Sequence, residues 1–220
     1  MGLNKVDLAH YLETVILKTE GTRDGVVRLC EDAIKYRFPT AVVHSVYVPL
    51  VHSIVRGTSV GVCTAIGFPF GANTTATKVF ESREAVRNGA TELDMMMFMG
   101  AFKDKDYAAV RQDIDAVIAA ADGRIVKVII ETALLSREEK IQACEIAVEA
   151  GASYVKTSTG NALPGATVED IRLMRQTVGD RCGVKASGGI TTLEQTLAFI
   201  EAGATRVASR VAVDIVNALK

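Results

Sequence analysis

Short apolar runs rich in valine and isoleucine alternate along the chain with longer amphipathic stretches, and that alternation predicts repeated strand-then-helix units. The runs fall at residues 14–17, 40–43, 59–66, 92–95, 125–131, 153–157, 182–186 and 205–208. Largely continuous apolar character, in place of strict alternation, marks parallel strands covered on both faces. Helical spacing fills the gaps. Across 107–121, Val110, Ile114, Val117 and Ile118 share one face while Arg111, Asp113 and Asp115 lie elsewhere. Three joints repeat one signature: Asn88-Gly89-Ala90-Thr91, Ala150-Gly151-Ala152-Ser153 and Ala202-Gly203-Ala204-Thr205. In each, a glycine ends a helix in the left-handed conformation just before a strand. About eight units in 220 residues come near the roughly 250 residues of a (β/α)8 barrel. The expected fold is α/β, a single (β/α)8 TIM-barrel domain over residues 1–220. A doubly wound open sheet ranks second, because no Gly-x-Gly-x-x-Gly turn follows the first strand.

Composition narrows the partners. With 25 Lys+Arg against 26 Asp+Glu the formal net charge is −1, and 49% of residues are hydrophobic. That excludes disorder, which needs low hydrophobicity and high net charge. No basic excess points to nucleic acid. No apolar run approaches the ~18 to 20 residues of a membrane helix, and residues 1–7 lack a signal-peptide layout. The expected location is the cytoplasm, with no membrane partner. Cys30, Cys63, Cys144 and Cys182 are scattered without a C-x-x-C pair, which reads as buried free thiols and excludes a zinc or disulfide framework.

Several of the apolar runs carry charge where a barrel should be greasy. Asp94 closes Glu92-Leu93-Asp94, Lys156 closes Tyr154-Val155-Lys156, and Lys185 closes Gly183-Val184-Lys185. Buried charge costs several kcal/mol unless it is paired or used. Lys127 and Glu131 lie four apart, on one strand face, and are expected to belong to a structural ion-pair network plugging the barrel mouth. For Asp94, Lys156 and Lys185 the expectation is chemistry. A lysine amine is nucleophilic only when neutral, and a second ammonium or desolvation lowers its pKa toward that state. The neutral amine can add to a carbonyl and lose water to give an iminium, an electron sink that lets an adjacent C–C bond break or form. Asp94 is the acid/base beside the nitrogen. Spacing alone leaves open which lysine is the nucleophile.

The segments Gly67-Phe68-Pro69-Phe70-Gly71-Ala72-Asn73-Thr74-Thr75, Val128-Ile129-Ile130-Glu131-Thr132, Val155-Lys156-Thr157-Ser158-Thr159-Gly160, Gly165-Ala166-Thr167-Val168-Glu169-Asp170 and Val184-Lys185-Ala186-Ser187-Gly188-Gly189-Ile190 together resemble the deoxyribose-phosphate aldolase family, over nearly the whole chain. The resemblance implies a (β/α)8 barrel with neither metal nor organic cofactor. It implies a lyase of carbohydrate and deoxyribonucleotide catabolism that reversibly joins acetaldehyde to glyceraldehyde 3-phosphate. Its partners are small aldehydes, and a homodimer is left open. By position it makes Lys156 the Schiff-base nucleophile, Lys185 the neighbour that lowers its pKa and Asp94 the proton-relay carboxylate. Thr159, Gly160, Ser187, Gly188, Gly189, Ser209 and Arg210 are the expected substrate contacts, with the phosphate between the loops after strands seven and eight.

The departures from the family pattern cluster near the expected mouth. Glu13-Thr14-Val15 stands where Asp-His-Thr is usual, Val42-Val43-His44-Ser45 where Cys-Val-Asn-Pro is usual, and Phe98 where an Asn is expected. Ala208-Ser209-Arg210-Val211 replaces a Gly/Ala/Ser stretch, Asn161-Ala162-Leu163-Pro164 replaces small or basic residues, and the sequence ends without the tyrosine tail many members carry. Phe98 and His44 therefore join the candidate substrate contacts. The pattern predicts a changed or relaxed acceptor, a non-phosphorylated aldehyde or an unsaturated carbonyl. A phosphosugar isomerase or synthase, and a silent binding barrel, are the rival readings.

Overall fold

The computed structural model describes residues 3–161 and 164–220. Eight parallel strands, β1 (Leu12–Ile16), β2 (Thr40–Val43), β3 (Gly61–Ile66), β4 (Glu92–Met96), β5 (Ile125–Ile129), β6 (Tyr154–Lys156), β7 (Gly183–Ser187) and β8 (Arg206–Ser209), pair in sequence order and close when β8 pairs with β1. Around them run α1 (Lys5–Tyr11), α2 (Arg23–Tyr36), α3 (Val48–Val55), α4 (Thr75–Arg87), α5 (Met99–Lys103), α6 (Tyr107–Ala120), α7 (Arg137–Glu149), α8 (Val168–Val178), α9 (Leu193–Glu201) and α10 (Ala212–Ala218). This is the expected barrel, and the open sheet is excluded by the closing pair. Among the described residues, no helix is long and apolar enough to cross a membrane.

The main apolar core lies between sheet and helices. Outward strand residues such as Leu93, Met95, Val126, Val155, Val184 and Val207 pack there against Leu29, Val51, Ile114, Ile171 and Phe199. Met97 belongs to the same core and Met99 packs on it half-buried, so these methionines near the end of β4 fill the core.

The three glycine joints share one hydrogen-bond pattern. Gly89, Gly151 and Gly203 have φ of 104°, 86° and 110°. Each donates to the carbonyl three residues back, and the following alanine donates to the carbonyl five back (Ala90 to Ala85, Ala152 to Ala147, Ala204 to Phe199), a Schellman closure. The next residue, Thr91, Ser153 or Thr205, donates into the preceding strand at Val62, Val126 or Val184. One short motif therefore stops a helix and sets the register of the next strand.

Candidate active site

Period-two alternation turns every second strand side chain into the barrel, and on six strands that side chain is charged. Asp94 Oδ2 accepts from Lys156 Nζ at 2.7 Å and from Lys185 Nζ at 2.7 Å. The separation of the two amines is thus bounded by twice that distance. They are cross-strand neighbours in register on β6 and β7. Asp94 Oδ1 accepts from Lys127 Nζ at 2.8 Å and from the Cys63 thiol at 3.2 Å. Toward the strand N-termini, Lys127 pairs with Glu92 at 2.6 Å and faces Glu13 at 3.8 Å, while Glu13 also pairs with Lys185. Arg206, at the start of β8, lies 3.7 Å from Glu92 and 4.0 Å from Glu13. Lys127, Lys185, Asp94 and Glu13 are wholly buried and Lys156 is 2% exposed.

Burial penalises each of these charges, and the neighbours decide the outcome. Three surrounding lysines overcome burial at Asp94 and hold its carboxyl well below the usual range. At Glu13, Lys185 and Lys127 do the same and lower the pKa. Burial pulls Lys127 down, but Asp94 and the flanking carboxylates outweigh it and leave the amine well above its ordinary value. Lys185 is likewise raised, by Asp94 and Glu13 against burial. Lys156 goes the other way: burial, reinforced by Lys185, outweighs Asp94 and lowers its pKa. Of the three amines on Asp94, Lys156 is the one pushed toward its neutral, nucleophilic form.

Lys156 and Lys185 reach a cavity of about 490 Å³ at the C-terminal mouth of the barrel. Its polar wall includes Thr159, Gly160, Ser187, Gly188, Gly189, Ser209 and Arg210, and Val15, Val42 and Phe68 supply apolar surface. The loops after β6 and β7 interlock. Ala166 donates to the Ser187 carbonyl at 3.0 Å, and a Cβ on Gly165 would strike the Gly188 backbone. The Thr159 hydroxyl and amide donate to Glu131 Oε2 at 2.6 and 3.1 Å. The Ser209 hydroxyl donates to the Ile190 carbonyl at 2.8 Å and accepts from the Val211 amide at 3.1 Å. These two hydroxyls brace the rim, while Lys18, Ser187 and Arg210 bring further polar side chains to the cavity wall.

Comparison with known proteins adds the family. The model of the DeoC/LacD family aldolases matches residues 26–213. A deoxyribose-phosphate aldolase from Staphylococcus carnosus is 50% identical over 98% of this chain and 98% of its own. The chain belongs to the DeoC/LacD aldolase family. A solved structure from Coccidioides immitis superposes with a TM-score of 0.95 at 40% identity, covering 98% of this chain and 86% of that one. The deoxyribose phosphate aldolase from Aeropyrum pernix, described as tetrameric, superposes with a TM-score of 0.92 at 28% identity, covering 97% and 91%. As a member of this family the protein is an aldolase, a lyase acting on small molecules.

Three expectations need correction. Lys127 joins an ion-pair network as expected, but Glu131 does not. β5 ends at Ile129 and Glu131 sits beyond it with φ 51°, so strand alternation no longer relates the two. Lys127 joins the Asp94 cluster and Glu131 braces Thr159. Second, Glu13 is not at the mouth: as the second residue of β1 it lies deep among the inner charges. Third, Phe98 and His44 are off the cavity wall. Phe98 precedes α5 beside the buried Lys78 amine, 5.9 Å from its ring, and His44 packs edge-on against Phe68 at 6.2 Å. The expectation at Ala162 and Leu163 lies outside the described residues. Thr74 caps α4, its hydroxyl accepting from the Thr77 amide. Leu17, Lys18 and Glu20 also line the wall, with no sequence signal for them, and Val15 joins them as a contact rather than only as a departure. Val15 was within reach, because it stands two residues after the inward Glu13.

Proposed function

We propose that the protein is a lysine-dependent, class I aldolase that cleaves 2-deoxyribose 5-phosphate reversibly to acetaldehyde and glyceraldehyde 3-phosphate, with Lys156 as the Schiff-base nucleophile. The observation carrying this reading is the asymmetry among the three amines on Asp94: only Lys156 opens on the cavity with a lowered pKa. Neutral Lys156 Nζ adds to the sugar aldehyde carbon, and loss of water from the carbinolamine gives an iminium. The C3 hydroxyl gives up its proton, the C2–C3 bond breaks, and its electrons pass to the iminium as an enamine while the three-carbon aldehyde leaves. Protonation of the enamine carbon and hydrolysis release acetaldehyde and restore the amine. Asp94, ionised and 2.7 Å from both amines, is the relay for proton exchange at nitrogen, with the Lys185 ammonium as the nearest acid. The iminium is itself the electron sink, so this sequence uses neither metal nor organic cofactor.

The substrate phosphate is placed at Ser187-Gly188-Gly189 and Arg210, where backbone N–H groups and a guanidinium can bind oxyanions. Val211 and the apolar wall of Val15 and Val42 support a relaxed acceptor preference on the same chemistry. The four cysteines are free and buried, which suits a reducing, cytoplasmic compartment. A homo-oligomer is proposed on the assembly described for the Aeropyrum pernix relative.

The test is acetaldehyde release from 2-deoxyribose 5-phosphate and from 2-deoxyribose by wild type and Lys156→Leu. Release from the phosphorylated sugar that vanishes in Lys156→Leu supports the reading. Equal release by the variant, or none by wild type from either sugar, contradicts it.

A further inference from the structure

Among the described residues, the ladder inside the barrel contains four basic side chains, Lys127, Lys156, Lys185 and the partly buried Arg206, but three acidic ones, Glu13, Glu92 and Asp94. An unbalanced charge in a barrel interior costs several kcal/mol and is relieved by loss of a proton. Three carboxylates balance three cations, so one basic group is surplus.

Geometry decides which. Arg206 keeps its proton under all ordinary conditions. Lys127 bonds Glu92 and Asp94 at 2.6 and 2.8 Å, with Glu13 at 3.8 Å. Lys185 bonds Glu13 and Asp94. Lys156 has Asp94 alone, through an oxygen that Lys185 already occupies. Facing this ladder are also the Cys63 thiol on β3, whose pKa burial raises, and Tyr154 on β6, which lines the second cavity together with Arg206. β2 presents the uncharged Val42 to the cavity. Lys18, Glu20 and Arg210 line the mouth but are exposed, where water and salt screen them.

We propose that Lys127 and Arg206, together with Glu13 and Glu92, are positioning residues that keep Lys156 uncharged by fixing the charge count of the barrel interior. Lys185 is then one of three cations that set this count. The control begins on the far side of the barrel, where Arg206, 15% exposed, meets a second cavity with His10, Arg37 and Tyr154 at the strand N-termini. The proposal rests on Lys156 being the Schiff-base amine.

The experiment traps the protein with acetaldehyde and borohydride across a pH series, and peptide mapping scores the label at Lys156. Lys127→Met leaves three basic groups against three acidic ones, so Lys156 keeps its proton. The midpoint of labelling should rise by about one pH unit or more, and labelling near pH 7 should fall about tenfold. Glu92→Gln removes a negative charge instead, and the midpoint should fall. The double variant Lys127→Met/Glu92→Gln restores a surplus of one, and its midpoint should return toward wild type. A purely structural role would weaken labelling in all three variants without opposite shifts and without restoration. A midpoint unmoved in Lys127→Met, or a double variant no closer to wild type than that single one, overturns the proposal. If Lys127→Met does not fold, the direction of the Glu92→Gln shift decides, a fall supporting and a rise or no change overturning it. Failure of wild type to label at Lys156 would instead defeat the proposed function.

Discussion

Asp94 joins three amines through two carboxylate oxygens, so substitutions around it separate catalytic from structural effects. Lys156→Leu removes the one amine without a dedicated carboxylate. It should abolish turnover while leaving urea-unfolding stability within about 1 kcal/mol of wild type, because the remaining charges stay in balance. Asp94→Asn removes the one carboxylate that all three amines share, leaving Lys127 with Glu92 and Lys185 with Glu13, and should cost on the order of 3 kcal/mol in the same measurement. Lys185→Leu removes the nearest positive neighbour of Lys156. The pKa of Lys156 should rise, and the pH at which adducts form should rise with it. The three central residues were legible as charges ending apolar runs. Their partners were not, because period-two spacing tells which face a side chain takes but not which side chain across a closed sheet it meets. Glu92 and Arg206 stand in or beside the same runs, yet the 3.7 Å approach between β4 and β8 exists only once the barrel closes.

Elements were predicted to within a few residues at most ends, and the repeated glycine joint explains why. A Schellman closure is written in local sequence, as a glycine followed by a small apolar residue, and it fixes where the helix stops. Gly151→Ala tests it cleanly. Nothing lies within 4 Å of the added methyl group and φ is 86°, so the cost is conformational, about 1–2 kcal/mol and visible as a lowered Tm. Gly165→Ala should act differently. Its Cβ would strike the Gly188 backbone and separate the loops after β6 and β7. The expected result is a raised KM with a smaller change in Tm. The misplacement of Glu131 marks the limit of local reading. The apolar run continues through Ile130, but β5 ends at Ile129 and the chain turns to a positive φ at Glu131, a change that hydrophobicity does not encode.

At the scale of the whole molecule, a greasy outer core holds a polar inner barrel, and the chemistry depends on that separation. The helices and outward strand faces bury the apolar surface that drives folding, which lets the barrel interior hold a charge ladder that contributes little to stability itself. The mouth cavity then exposes one end of the ladder to substrate. This division was readable in the sequence as charge inside apolar strands, whereas the composition of the cavity wall depends on loop packing and was only partly anticipated. The chemistry requires Lys156 to be the one amine of the three held toward its uncharged form. As pH falls through its lowered pKa, Lys156 gains a proton and carbonyl addition stops. The most direct measurement is peptide-mapped borohydride trapping of the acetaldehyde adduct in wild type as a function of pH. Label confined to Lys156, with a midpoint well below the ordinary lysine value of about 10.4, is the predicted result. Label on Lys185 or Lys127, or a midpoint at the ordinary value, would contradict it.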